Sequence, residues 1–214
     1  MQGGQLGEGK FGSGQLAQKP VLAAVSAAPA SGDAIWRSVA LEQALLQASI
    51  DRGDFDDRAF DAALLLDLQQ ALCRRELPHL GGWRVIGLQL PGGQLLPPLP
   101  AMAERVDAHL RPFTRLQRLI KGTEPLIEWL AQLEGGLHAM YPFSNLCEPS
   151  IRLLLRIYLR RLGRPGAWLD RDTTPLYLQA LQAGRLRHWS WLVPVWRLRL
   201  DWHSTKVTAL PRRR

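Results

Sequence analysis

The sequence predicts a mainly α-helical bundle with one small β-hairpin and a flexible N-terminal arm. Three observations carry that expectation. Leu, Ala, Gln and Arg dominate and β-branched residues are few, a mixture that favours helices. Apolar residues recur at helical spacing through most of the chain. Only the stretch from Trp83 to Leu96 alternates about a Pro-Gly-Gly turn, the pattern of a hairpin. With 214 residues, 46% of them hydrophobic, the chain suits one domain with a real core plus some tail.

The elements follow in order. Residues 1–32 read as a flexible Gly/Ala/Pro-rich arm: Gly, Gln and Ser dominate to residue 18, and Lys19 to Gly32 is Ala- and Pro-rich. Residues 33–77 form an N-terminal helical segment. Its first helix, Ala34 to Ser49, places Ile35, Val39, Leu41, Leu45 and Leu46 on one side, and Asp51-Arg52-Gly53-Asp54 ends it. Asp56 or Asp57 is expected to cap the second, which carries Phe60, Leu64, Leu65, Leu68 and Leu72 to about Arg75. Pro78 and Gly81-Gly82 break that helix. Residues 78–203 form the main domain, and 204–214 a basic tail ending Pro211-Arg212-Arg213-Arg214. Within the domain, Trp83 to Leu90 alternates, Pro91-Gly92-Gly93 turns, and Gln94-Leu95-Leu96 returns. Helices are expected over Ala101 to Leu110, Glu124 to Met140 and Ser150 to Leu162, the last stopped by Gly163 and Pro165. Thr173 or Thr174 caps a further helix, Pro175 to Ala183, with Pro175 in its first turn. Trp196, Leu198, Leu200 and Trp202 alternate with Arg197, Arg199 and Asp201, which predicts a strand.

The net charge of +8 suits an acidic partner, a nucleic acid or a phosphate-rich surface; an Arg-rich composition alone gives the same value. Cys73 and Cys147 are too few for a disulfide framework and lack metal-ligand spacing, so both are expected reduced and at least partly buried. His79, His109, His138, His188 and His203 show no ligand spacing either. No Ser-His-Asp set or carboxylate pair stands out. No window reaches the roughly 18 uncharged apolar residues of a membrane span, and no signal-peptide pattern opens the chain. The expectation is a soluble cytoplasmic protein with no metal and no membrane contact.

Residues 141–152 read Tyr-Pro-Phe-Ser-Asn-Leu-Cys-Glu-Pro-Ser-Ile-Arg, between two apolar helical runs. This segment resembles the signature of the Fic (filamentation induced by cAMP) family, in which a His-Pro-Phe triplet leads into a Gly-Asn-Gly-Arg phosphate-binding loop. The order of elements from Gly81 to Val195 is also similar. Gly82-Trp83-Arg84-Val85 looks like the start of the family's hairpin, the flap. Pro97 to Met102 looks like its proline-rich stretch, Ile151 to Leu155 like the helix after the signature, and Leu162-Gly163-Arg164-Pro165 like that helix's end. Tyr177 to Leu181 resembles a later family helix. The resemblance implies that 78–203 is a Fic-like domain.

Members of that family transfer a nucleotide monophosphate, typically AMP from ATP, onto a protein hydroxyl. Against that pattern the chain departs at six positions. Tyr141 stands where the His base would be, and a phenol with a pKa of about 10 is almost fully protonated at neutral pH. Asn145 replaces the acid that holds Mg²⁺. Leu146, Cys147, Glu148 and Pro149 replace Gly-Asn-Gly-Arg, so glycine freedom is lost, a negative charge enters and one N–H donor disappears. Arg152 matches the second signature arginine, a vestigial nucleotide contact. Ser38 and Glu42 fit the family's inhibitory pattern, Ser/Thr-x-x-x-Glu-Gly/Asn, whereas Gln43 departs from it. If the pattern is a relic, Glu42 pairs with Arg152; otherwise it belongs to an ordinary amphipathic helix.

Two further features suggest a surface. Arg152, Arg156 and Arg160 share a helix face, with Arg161 and Arg164 nearby, which suits phosphate or an acidic partner, or simply a solvated face. The chain is also Trp-rich. Trp189, Trp191, Trp196 and Trp202 fall among Arg185, Arg187, Arg197 and Arg199, a mixture that suits a protein interface, base stacking or a core. The leading expectation is a catalytically degenerate Fic-like protein that binds another protein, without a cofactor. It would use Trp83 and Arg84 of the hairpin, Arg156 and Arg160, or the end containing Trp189, Trp196, Arg197 and Arg199; homo-oligomers stay open. The alternatives are a nucleotidyl transferase with altered residues, using ATP and Mg²⁺, and a basic nucleic-acid binder.

Overall fold

Seven helices and a two-stranded antiparallel sheet follow one another in the computed structural model, which describes residues 29–90, 93, 95–116, 119–164, 175–185 and 188–208. The helices are α1 (Pro29–Arg52), α2 (Ala62–Cys73), α3 (Met102–Arg115), α4 (Thr123–Met140), α5 (Cys147–Arg161), α6 (Pro175–Arg185) and α7 (Leu192–Thr208). Short 3₁₀ turns occupy Pro78–Leu80 and Trp189–Trp191. The hairpin strands are β1 (Leu88–Gln89) and β2 (Leu95–Leu96), with Leu88 opposite Leu96 and Gln89 opposite Leu95. The expected hairpin therefore exists, but its ladder is much shorter than the alternation from Trp83 suggests.

Helices α4 and α5 form the centre. The α4 helix packs against α3, α6 and α7, while α5 packs against α1 and α2. Their apolar stripes meet in one continuous core that includes Leu68, Leu130, Leu137, Ile151 and Leu154. This core joins the 33–77 segment to the domain that follows it. Fully burying a Leu or Ile side chain contributes about 1.5–3 kcal/mol.

Local chemistry moves several boundaries. The α2 helix is capped by Asp61, whose carboxylate accepts from the Leu64 N–H at 3.0 Å, rather than by Asp56 or Asp57. The α3 helix continues past Leu110 through Pro112 to Arg115. Trp196 lies within α7, so the alternating Trp/Arg segment is a helix and not a strand. Its apolar residues meet the core at Trp196 and Leu200 while Leu198 is exposed, a pattern that a four-residue step satisfies as well as a two-residue one. Thr173 and Thr174, Trp168 and the basic end 209–214 lie outside the described residues.

Candidate functional site

The turn from α4 into α5 is built on strained backbone. Ala101, Tyr141 and Leu146 are the non-glycine residues with positive φ among the described residues, and two of them fall here. Tyr141 ends α4 at φ 47° and Leu146 precedes α5 at φ 50°. A left-handed conformation costs a residue with a Cβ about 1–2 kcal/mol. Leu146 stands at the first glycine position of the Fic-like pattern and still adopts the conformation that glycine favours. That conformation is costly for a leucine, and surrounding contacts hold the turn in place.

Two side chains from elsewhere supply those contacts. Arg84 is only 2% exposed. Its guanidinium donates to the carbonyls of Tyr141 at 2.9 Å, Met140 at 3.1 Å, Ile86 at 2.8 Å and Pro97 at 2.9 Å. Its backbone N–H reaches Pro142 O at 2.8 Å. One cation thereby ties the C-terminus of α4, where the helix dipole is negative, to both sides of the flap. Burial holds the Arg84 pKa below its ordinary value. Trp83 stacks on Phe143 at 5.0 Å, with Phe143 fully buried. Arg84 is thus a clamp and not a surface contact, and Trp83 is half-buried beside it.

Gln69 of α2 holds the other side. Its amide donates to Asn145 O at 2.9 Å, and its carbonyl accepts from Ser150 Oγ at 2.6 Å. Ser150 also caps the Leu146 carbonyl at 3.0 Å. Glu148 falls in the first turn of α5, where a carboxylate stabilises the positive end of the helix dipole. Pro149 sits in the same turn, where its missing N–H removes no bond within the helix. Cys147 is buried. The first turn thus carries a carboxylate and lacks one of the N–H groups that a phosphate would use.

The arginines of α5 separate sharply. Arg156 grips Asp51 with two parallel bonds of 3.0 and 2.7 Å. Arg160 donates to Asp56 at 3.1 Å and to Asp51 O at 2.7 Å, and Arg161 donates to the carbonyls of Phe55 and Arg58. Gly53 sits at φ 97°, a conformation that strains any residue with a Cβ, beside Arg160 and Asp56. Arg156 and Arg160 therefore fasten the α1–α2 turn. Arg152 makes no ion pair among the described residues. Its guanidinium lies 5.4 Å from the centre of the Tyr177 ring, and its Nε is buried without a hydrogen-bond partner. Glu42 pairs with Arg74, at 2.9 Å, and Arg75, so the expected Glu42–Arg152 pair does not form. Ser38 lies half-buried one turn earlier on α1.

Beneath Arg152 lies a buried polar cluster. Tyr177 Oη donates to Glu134 at 2.8 Å, and Arg199 Nη1 pairs with the other Glu134 oxygen at 2.9 Å. Arg199 stacks on Tyr177 and Trp196, 4.8 and 4.3 Å from the ring centres. Burial alone would raise the Glu134 pKa, but Arg199, His138 and the hydrogen bonds outweigh it and hold the carboxyl below its ordinary range. Burial and the Glu134 charge push the Tyr177 pKa up. Arg199 and Trp196 are therefore interior groups, contrary to their expected surface role. Trp189 packs over Gly135, and Arg197 is an exposed residue paired with Glu124. Trp191 is exposed, whereas the side chain of Trp202 lies outside the described residues.

Gln69, Ser150 and Glu134 were not singled out in the sequence. Polar residues inside the apolar faces of α2, α5 and α4 are the signal that marks them.

The whole arrangement is a Fic-like helical fold, with the hairpin rooted at Arg84 and the 141–146 turn between the two central helices. Its solved structural neighbours include the BepC protein, a VirB-translocated Bartonella effector protein from Bartonella tribocorum, determined with bound AMPPNP. The match has a TM-score of 0.60 and 12% sequence identity, and it covers 77% of this chain and 85% of that one. No family model matches the sequence, and no curated protein matches it significantly. No helix among the described residues is long and apolar enough to cross a membrane, and no group of His, Cys, Asp and Glu among them has metal-site geometry.

Proposed function

We propose that this chain is a catalytically degenerate Fic-like protein that works by holding another protein, not by transferring AMP. The carrying observation is the filled first turn of α5. Glu148 supplies a carboxylate there, Pro149 withdraws an N–H, and Gln69 ties Asn145 to Ser150. These residues do not fit a magnesium triphosphate, since a second anion would meet a carboxylate and too few donors. Tyr141 at the base position adds no group that accepts a proton at neutral pH.

The flap supports the binding role. Val85 and Leu95 are 79% and 73% exposed, and Ile86 is exposed beside them, an apolar edge on a rigid clamp. The nucleic-acid reading has less support, because the arginines at 156, 160 and 161 are engaged within the fold.

Two observations favour the enzyme reading as a second: Arg152 pairs with no acid among the described residues, and Leu146 keeps the turn in its left-handed shape. The test of the binding role is capture from the protein's own cell extract by wild type and by the Val85→Asp/Leu95→Asp double variant. Loss of a captured protein in a variant that melts as wild type does is the expected result. Equal capture by both would overturn the flap as the docking edge.

A further inference from the structure

We propose that the cavity between β2, α3, α4 and the Trp189 turn binds a small aromatic carboxylate. The inference does not depend on the protein-binding role. The cavity has a volume of about 320 Å³, at the lower end of ligand-sized pockets. Leu96, Leu99, Ala139 and Met140 make its apolar walls, and Trp189 and His109 contribute two rings. Such walls suit a planar apolar body.

The polar groups specify the rest of the ligand. Arg84 and Arg105 both line the cavity, and neither pairs with a carboxylate among the described residues. Four of the five N–H donors of Arg84 are used by uncharged carbonyls. No carboxylate among the described residues pairs with its buried charge, which is met by carbonyl dipoles alone. The Arg105 Nε donates to Pro100 O at 2.9 Å, which fixes the guanidinium while its terminal amino groups meet no acceptor among the described residues. Two cations in the lining of an apolar cavity suit an anionic group: Arg84 keeps one N–H donor, and Arg105 offers its two terminal amino groups.

His109 refines the shape. Its Nε2 lies 3.0 Å from Leu133 O, so that nitrogen carries the hydrogen and Nδ1 is left as an acceptor. Burial keeps the ring neutral by lowering its pKa. The ring needs Gly136, because a Cβ there would lie 2.1 Å from His109 Cε1. The glycine thus leaves room for the His109 ring beside α4. A bound anion would also rest against the cation that roots the flap.

The test is an NMR titration of the full chain with sodium benzoate, with neutral benzamide as the control. Benzoate is expected to shift the Trp189 indole signal and the amides of residues 136–140 saturably, with a dissociation constant on the order of 1 mM for so few atoms. Benzamide should bind roughly tenfold more weakly, as should benzoate to Arg105→Gln. Ala139→Phe fills the cavity and should remove binding. Should that variant misfold, Arg105→Gln, whose side chain is exposed, decides alone. Absence of saturable shifts, equal affinity for benzamide, or unchanged affinity in Arg105→Gln would overturn the proposal.

Discussion

The two ends of α5 carry arginines on one face, and they meet opposite fates. At the C-terminal end, Arg156 and Arg160 find Asp51 and Asp56, and Arg161 finds two carbonyls of the same turn. At the N-terminal end, Arg152 rests on an aromatic ring, and uncharged groups from Gln69 and Ser150 hold the turn before it. Four-residue spacing therefore sets the face but not the partner. The partner is whatever segment the chain folds against that face. Charged groups fasten the end that faces the α1–α2 turn. The end that follows the 141–146 turn has an arginine without an acid among the described residues and a first turn that already contains its own carboxylate.

Removing the support beneath Arg152 breaks this contrast most severely. Glu134→Gln leaves Arg199 buried without its counter-charge and should destabilise the fold by about 3–5 kcal/mol, measured by urea denaturation. The pH dependence has a definite sign. The Glu134 pKa is lowered in the folded state, so its contribution is fully present above the unfolded carboxylate pKa. It is lost as pH falls through the lower, folded value. Glu134→Gln should therefore flatten the acid limb of the stability profile.

The next effect distinguishes the chemistry of the two ends. Gln69→Leu strands the Asn145 carbonyl and leaves the buried Ser150 hydroxyl only Leu146 O, at about 2 kcal/mol, and the loss should be unchanged in high salt. Leu146→Val puts a β-branched residue at φ 50° and should destabilise by about 1 kcal/mol, seen as a lower urea midpoint. Arg156→Gln removes a partly exposed pair and should cost about 0.5–1 kcal/mol at low salt. That loss should shrink in about 1 M salt, where the Debye length is about 3 Å. If Gln69→Leu proved as salt-sensitive as Arg156→Gln, the two ends would not differ as described.

The helices with long apolar stripes were legible in the sequence, because periodicity reports one face of one element. The 141–152 turn was legible as well, since Pro142, Phe143 and Arg152 stand at recognisable spacings. What the stripe could not report was its partner. Arg84 reads as an exposed cation beside Trp83, yet five backbone groups close around it, and no local pattern encodes that. Trp196 and Arg199 alternate like a strand because a helix that packs on several sides loses its simple period. Glu42 fits a motif by spacing, but Arg74 and Arg75 of the neighbouring helix end reach it first. The Asp61 cap escaped notice because three aspartates precede α2 within six residues, Asp56, Asp57 and Asp61, and spacing alone does not choose among them.

The most direct test of the filled first turn is calorimetric titration of the full chain with ATP and Mg²⁺, repeated with Arg152→Ala. The account predicts no heat beyond dilution for either protein. Saturable binding by wild type that Arg152→Ala removes would contradict it and restore a working nucleotide site.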